Sequence, residues 1–171
     1  MIPSDHFVKF YNEIFKYLER KGPQELDRYY ARVADRQAYF TLDAFKRYGL
    51  KGMYDYWERI RIEENCDMVH EYDGTCYHCR MRTCPSLSKV MDNDAEPCER
   101  YCDHCPGWVG RVIAWAGYFM VYDIIGRTTP KCEFWAFGTR AEAEAKLHEL
   151  VAARGEDVVK TNFAFIEKGD K

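Results

Sequence analysis

The chain has 171 residues and a formal charge of −3, with 47% hydrophobic and 31% charged residues. That length suits one domain with a core of its own, and that balance excludes a disordered chain. The net negative charge argues against nonspecific nucleic-acid binding. The most apolar stretch, Val109 to Ile125, is broken by Gly110, Arg111, Gly117 and Asp123 and is no membrane span. The start, Met1 to Lys9, has no basic stretch followed by an apolar run, so no signal peptide is expected. In the cytosol that this implies, eight cysteines read as reduced thiols and metal ligands rather than a disulfide scaffold. Aromatic residues, at 16%, suit a small-molecule pocket, a protein interface (a second copy of the chain included) or a core built from rings.

Residues 5 to 21 place Phe7, Phe10, Tyr11, Ile14, Phe15 and Leu18 at helical spacing, with Ser4 or Asp5 as N-cap. Gly22-Pro23 ends that helix and starts another, which runs to Tyr48 and is divided near Thr41. Gly49 and Gly52 mark a turn, and a third helix carries Met53, Tyr56, Trp57 and Ile60. Met68 to Tyr72 reads as a strand ended by the turn pair Asp73-Gly74. A short helix at Ser86 to Met91, a polar loop from Asp92 to Pro97 and a helix from Pro106 to Ala116 follow. Phe119 to Ile125 and Cys132 to Phe137 read as strands, Arg140 to Arg154 as a helix capped by Thr139 and stopped by Gly155, and Val158 to Ile166 as a last strand. The expected fold is α+β, with N-terminal helices (1–65) packed on a small, mostly antiparallel sheet (66–171). Segment 76–106 is expected to be a cysteine-rich metal-binding insert, and the two parts to form one domain.

Six cysteines fall within thirty residues, as Cys76-x2-Cys79-x4-Cys84-Pro85 and Cys98-x3-Cys102-x2-Cys105-Pro106. Thiols at such gaps meet at one centre when the backbone curls around a metal ion or cluster. The inner pairs Cys76-x2-Cys79 and Cys102-x2-Cys105 have the spacing of two zinc knuckles. The leftover Cys84 and Cys98, and the Cys-Pro endings, point instead to a [4Fe-4S] cluster. Both readings stay open, with Cys76, Cys79, Cys84, Cys98, Cys102 and Cys105 as the ligand pool. His78 and His104 sit inside the pairs and face solvent by default. Arg80 and Arg111 flank the site as candidate cofactor-binding cations for a carboxylate or phosphate. Cys66 and Cys132 read as buried structural thiols, or as a nucleophile if a base such as His70 lies near. Asp123 is the odd carboxylate in an apolar strand, to be paired or catalytic if buried.

Three stretches resemble the L-2-amino-thiazoline-4-carboxylic acid hydrolase family and, more distantly, the 4-vinyl reductase-type ligand-binding domains. They are a strand leading to Cys84-Pro85, the Cys102-Asp103 step before a helix, and an Arg127-Thr128 hairpin closing on Cys132-Glu133-Phe134. The resemblance covers about residues 66 to 138. It implies a pocket between helices and sheet with Cys84, Cys102 and Cys132 near it and Arg127 beside them. Cys132 and Arg127, together with the odd carboxylate Asp123, are the candidate catalytic residues. Cys76, Cys79, Cys98 and Cys105 depart from the family pattern and look like an added metal site. Three functions follow as expectations: a metal-cysteine protein that binds a small molecule as an enzyme or a redox or ligand sensor, a hydrolase of a small C–N or C–S heterocycle, and a zinc-stapled adaptor.

Overall fold

The computed structural model describes residues 5–92 and 96–167. The Ser4 cap and the middle of the Asp92–Pro97 loop lie outside the described residues.

Helix α1 (Asp5–Lys21) buries Val8 and Phe15, two turns apart, and Asn12 between them. Asn12 is enclosed but satisfied: its Oδ1 accepts from the Cys98 amide at 2.8 Å and its Nδ2 donates to the Glu96 carbonyl at 3.1 Å. Helix α2 (Pro23–Glu63) has Pro23 in its first turn and stays helical through Thr41, whose hydroxyl donates to the Gln37 carbonyl at 2.8 Å. The chain departs from helical geometry at Gly49, with φ 59° and ψ −139°. A side chain at that φ is strained, and a Cβ there would lie 2.5 Å from the Tyr118 hydroxyl. The expected division at Thr41 is thus at Gly49, where the residue type allows it.

Five strands form one antiparallel sheet in the order β1-β2-β4-β3-β5: β1 (Asp67–Tyr72), β2 (Cys76–Thr83), β3 (Phe119–Asp123), β4 (Cys132–Phe137) and β5 (Val159–Thr161). Helix α5 (Arg140–Arg154) covers one face, and α2 with α4 (His104–Trp115) covers the other. Helix α3 (Pro85–Asp92) packs against α1. The α+β class is as expected. Segment 76–106 is no insert, because β2 lies inside the sheet between β1 and β4 and α4 is a main core helix. The last strand is shorter than its alternation suggests. Asn162 ends it, fully buried, taking the Met120 amide at 2.7 Å and giving to the Gly110 and Tyr118 carbonyls, and helix α6 (Phe163–Glu167) follows.

The main core joins both halves of the chain: Phe45, Met53 and Trp57 of α2 pack with Tyr77, Tyr122 and Phe134 of the sheet and Ile113 of α4. Each such side chain contributes roughly 1.5–3 kcal/mol by leaving water. Edge-on ring contacts, such as Trp57 to Phe134 at 5.4 Å, add about 0.5–1.5 kcal/mol each.

Candidate metal centre

Four cysteines from four different elements line one small cavity: Cys84, Cys102, Cys105 and Cys132. Cys84 sits between β2 and α3, held by its own amide donating to the Pro130 carbonyl at 2.6 Å. Cys102 lies in a single 3-10 turn, Tyr101–Asp103, and Cys105 in the first turn of α4. Cys132 opens β4. Cys84 and Cys105 therefore stand at helix starts, where unpaired backbone amides and the helix dipole favour negative sulfur. At Cys84 the amides of Ser86 and Leu87 point at the sulfur, the latter at 3.4 Å.

The cavity is about 20 Å³, room for roughly one water molecule, and its walls are almost wholly apolar. Burial pushes every thiol in it up, Cys84 and Cys105 to about 11, Cys102 to about 12 and Cys132 well above the ordinary range, so without a metal all four are neutral. The thiols also oppose one another's ionisation: Cys105 raises Cys84, Cys102 and Cys132. His104 is enclosed and held neutral by burial. Its Nδ1 donates to the Tyr101 carbonyl at 2.5 Å, so its Nε2 is an acceptor for the Cys105 thiol at 3.2 Å. Among the described residues no three His, Cys, Asp or Glu side chains stand close enough to hold a metal ion.

The rest of the expected ligand pool lies outside the cavity wall, although Cys79 faces the same core and bears electrostatically on Cys132. Cys76 and Cys79 are three residues apart on a continuous strand, so their side chains leave opposite faces of the sheet. Cys76 packs under α5, and Cys79 is buried in the α2 side of the core. A knuckle needs a tight turn, and β2 instead pairs along both edges here. Cys98 faces α1, with its thiol on Glu19 at 3.2 Å. His78 stacks on Trp135 and bonds Glu133 at 2.9 Å, on the α5 face.

The expected catalytic and binding residues divide as well. Cys132 lines the cavity. Arg127 is turned to Asp103 at 3.0 Å and to the Glu99 carbonyl at 3.1 Å, so it braces the turn that carries Cys102 rather than offering a free guanidinium. Arg100 completes that brace by bonding Asp103 at 3.0 Å. Asp123 is buried on the α5 face, where Arg154 neutralises it at 2.9 Å, away from every cavity thiol. Arg80 pairs with Glu133 at 2.9 Å on the same far face. Arg111 stacks on Phe165 at 4.2 Å and lines a separate open cleft of about 400 Å³ with Tyr30, Arg100 and Lys160.

The chain matches no family model, no curated protein and no solved structure. The reading of the centre rests on its own geometry. Two of its residues escaped the sequence. Tyr122 donates to the Cys132 sulfur at 3.0 Å and lies beside the Cys105 thiol. Lys131, exposed, lines the cavity's outer side. Strand alternation puts Tyr122 on the face of Met120, but only the pairing of β3 with β4 brings it to Cys132. Among the described residues no helix is long and apolar enough to cross a membrane.

Proposed function

We propose that this chain is a metal-thiolate protein whose centre is a [4Fe-4S] cluster held by Cys84, Cys102, Cys105 and Cys132. One observation carries the reading: four thiols brought from four elements line a single apolar cavity that has no carboxylate in its wall. An all-sulfur donor set favours soft metals and iron–sulfur clusters. A bound cluster supplies one-electron chemistry, which fits a redox sensor or carrier. The protein's own part is to hold the sulfurs on helix starts, a 3-10 turn and a strand end, to aim amides at Cys84, and to keep bulk water out.

Zinc is the second reading, favoured by the small volume: one ion fits about 20 Å³ with little movement, whereas a cluster needs the cysteine side chains to rotate outward. In that case the rings exposed along α1, Phe7, Phe10 and Tyr17, suit the contact surface of an adaptor. The hydrolase reading implied by the resemblance has less support, because Arg127 is ion-paired to Asp103 and Asp123 to Arg154, so neither is free to act beside Cys132.

Anaerobic reconstitution with iron and sulfide tests the proposal. The expected product is brown, absorbs near 400 nm and holds about four irons per chain. Cys102→Ser and Cys105→Ser should each lose that iron, whereas Cys76→Ser and Cys98→Ser should keep it. A colourless product with one zinc favours the second reading. Full iron in both Cys102→Ser and Cys105→Ser would defeat the ligand set.

A further inference from the structure

We infer that Tyr122 is the positioning residue of the thiolate centre, donating its hydroxyl hydrogen bond to the Cys132 sulfur in its metal-bound, thiolate form. This rests on the metal-thiolate reading above and assigns one residue the tuning of that centre.

Tyr122 is 4% exposed and sits on β3, which is paired on both sides, by β4 and β5. Its ring stacks on Phe134 at 5.9 Å and 6°, so the hydroxyl is aimed by packing on a rigid strand. That hydroxyl donates to the Cys132 sulfur at 3.0 Å, and the Cys105 thiol lies beside it. The other fully enclosed tyrosines reach stronger acceptors or partners: Tyr77 bonds the His70 Nδ1 at 2.8 Å, Tyr101 the Ser86 hydroxyl at 2.5 Å, and Tyr30 the Arg100 carbonyl at 3.4 Å.

A neutral thiol is a weak acceptor, and a buried hydroxyl left with weak acceptors is destabilising. A thiolate is a charged acceptor and makes the same contact a strong one. The geometry gives the hydroxyl a sulfur as its acceptor, and a metal-bound thiolate is the form of that sulfur that accepts best. Packing alone does not call for it, since phenylalanine fills the same space and the neighbour across the sheet is Phe134. A hydrogen bond to a ligating sulfur draws negative charge off it, stabilises the more negative reduced state and slows loss of the metal.

Tyr122→Phe, compared with the unaltered chain, tests this in three measurements. Iron and sulfide are counted first in both proteins. The loaded variant should then show a more negative midpoint potential, and a chelator should strip it about tenfold faster, the scale of one charge-assisted hydrogen bond. The metal-free variant should unfold at the same denaturant concentration as the unaltered metal-free chain, or at a higher one. Equal potentials and equal stripping rates at full iron would overturn the role of Tyr122 and leave the cluster reading standing. Loss of stability in the metal-free variant alone would make the hydroxyl merely structural and would overturn it too. An unaltered chain that takes up neither iron nor zinc defeats the metal reading and this inference with it.

Discussion

Tyr122 and Asp123 are neighbours on β3, and strand alternation sends one to the thiols and the other under α5. Asp123 is 2% exposed and burial raises its pKa even with Arg154 attached. Arg154→Ala would strand that carboxylate, with an expected loss of about 2 kcal/mol; the Arg154 side chain is 33% exposed, which puts the figure below that of a fully buried pair. The loss, read by urea unfolding, should be smaller at pH 4 than at pH 7, because a carboxyl with a raised pKa is neutralised first. Glu133 behaves in the opposite sense. Burial pushes it up, but the Arg80 and His78 hydrogen bonds outweigh burial and hold it below its ordinary 4.5. A depressed carboxylate stabilises the fold above its unfolded pKa, and that contribution is lost as pH falls through the folded value. Urea midpoints should therefore drop as pH falls below about 4.5. Glu133→Gln should be less stable than the parent at pH 7 and flatten that dependence; a profile identical to the parent's would remove the pair from the account.

Two elements carry the main lesson about the cysteines. The Cys76-x2-Cys79 spacing has the same form as Cys102-x2-Cys105, yet one pair lies on a strand and the other at a helix start. On a helix start, residues three apart share a side; on a strand they point apart. The run Tyr77-His78-Cys79-Arg80 has no glycine or proline to force a turn, and Tyr77 alternates inward with Cys79, a strand signal that the metal motif obscured. Helices at 5–21 and 140–154 and the strand Cys132–Phe137 were legible because their apolar periods are long and their boundaries carry cap or turn residues. The break in α2 was legible only in part: Gly49 was read as a turn, but Thr41 shared the same expectation. Gly49→Ala should cost about 1–3 kcal/mol in chemical denaturation, since its φ is positive and Tyr118 crowds the site. Iron content should be unchanged, because Gly49 lines none of the thiol cavity.

At the scale of the molecule, metal and fold should be coupled. The four thiols come from the β2–α3 junction, the turn and first residues of α4, and the start of β4, so a metal bound by all of them would join places far apart in the chain. A ligand bound only by the folded state raises stability by mass action. Reconstituted protein should melt at a higher temperature than the metal-free chain by calorimetry, and that difference should vanish in Cys105→Ser. An unchanged melting temperature at full iron would separate the centre from the fold. The amino-acid sequence by itself determined the α+β class and the ends of most elements, because period and caps are short-range signals. Which four cysteines line one cavity, that Cys132 is one of them and Cys76, Cys79 and Cys98 are not, and that Tyr122 reaches Cys132, was decided only by the tertiary structure. The physical reason is that strand pairing and helix packing choose which face of each element looks inward, and no local pattern encodes how β4 lies beside β3 or where α4 crosses the sheet.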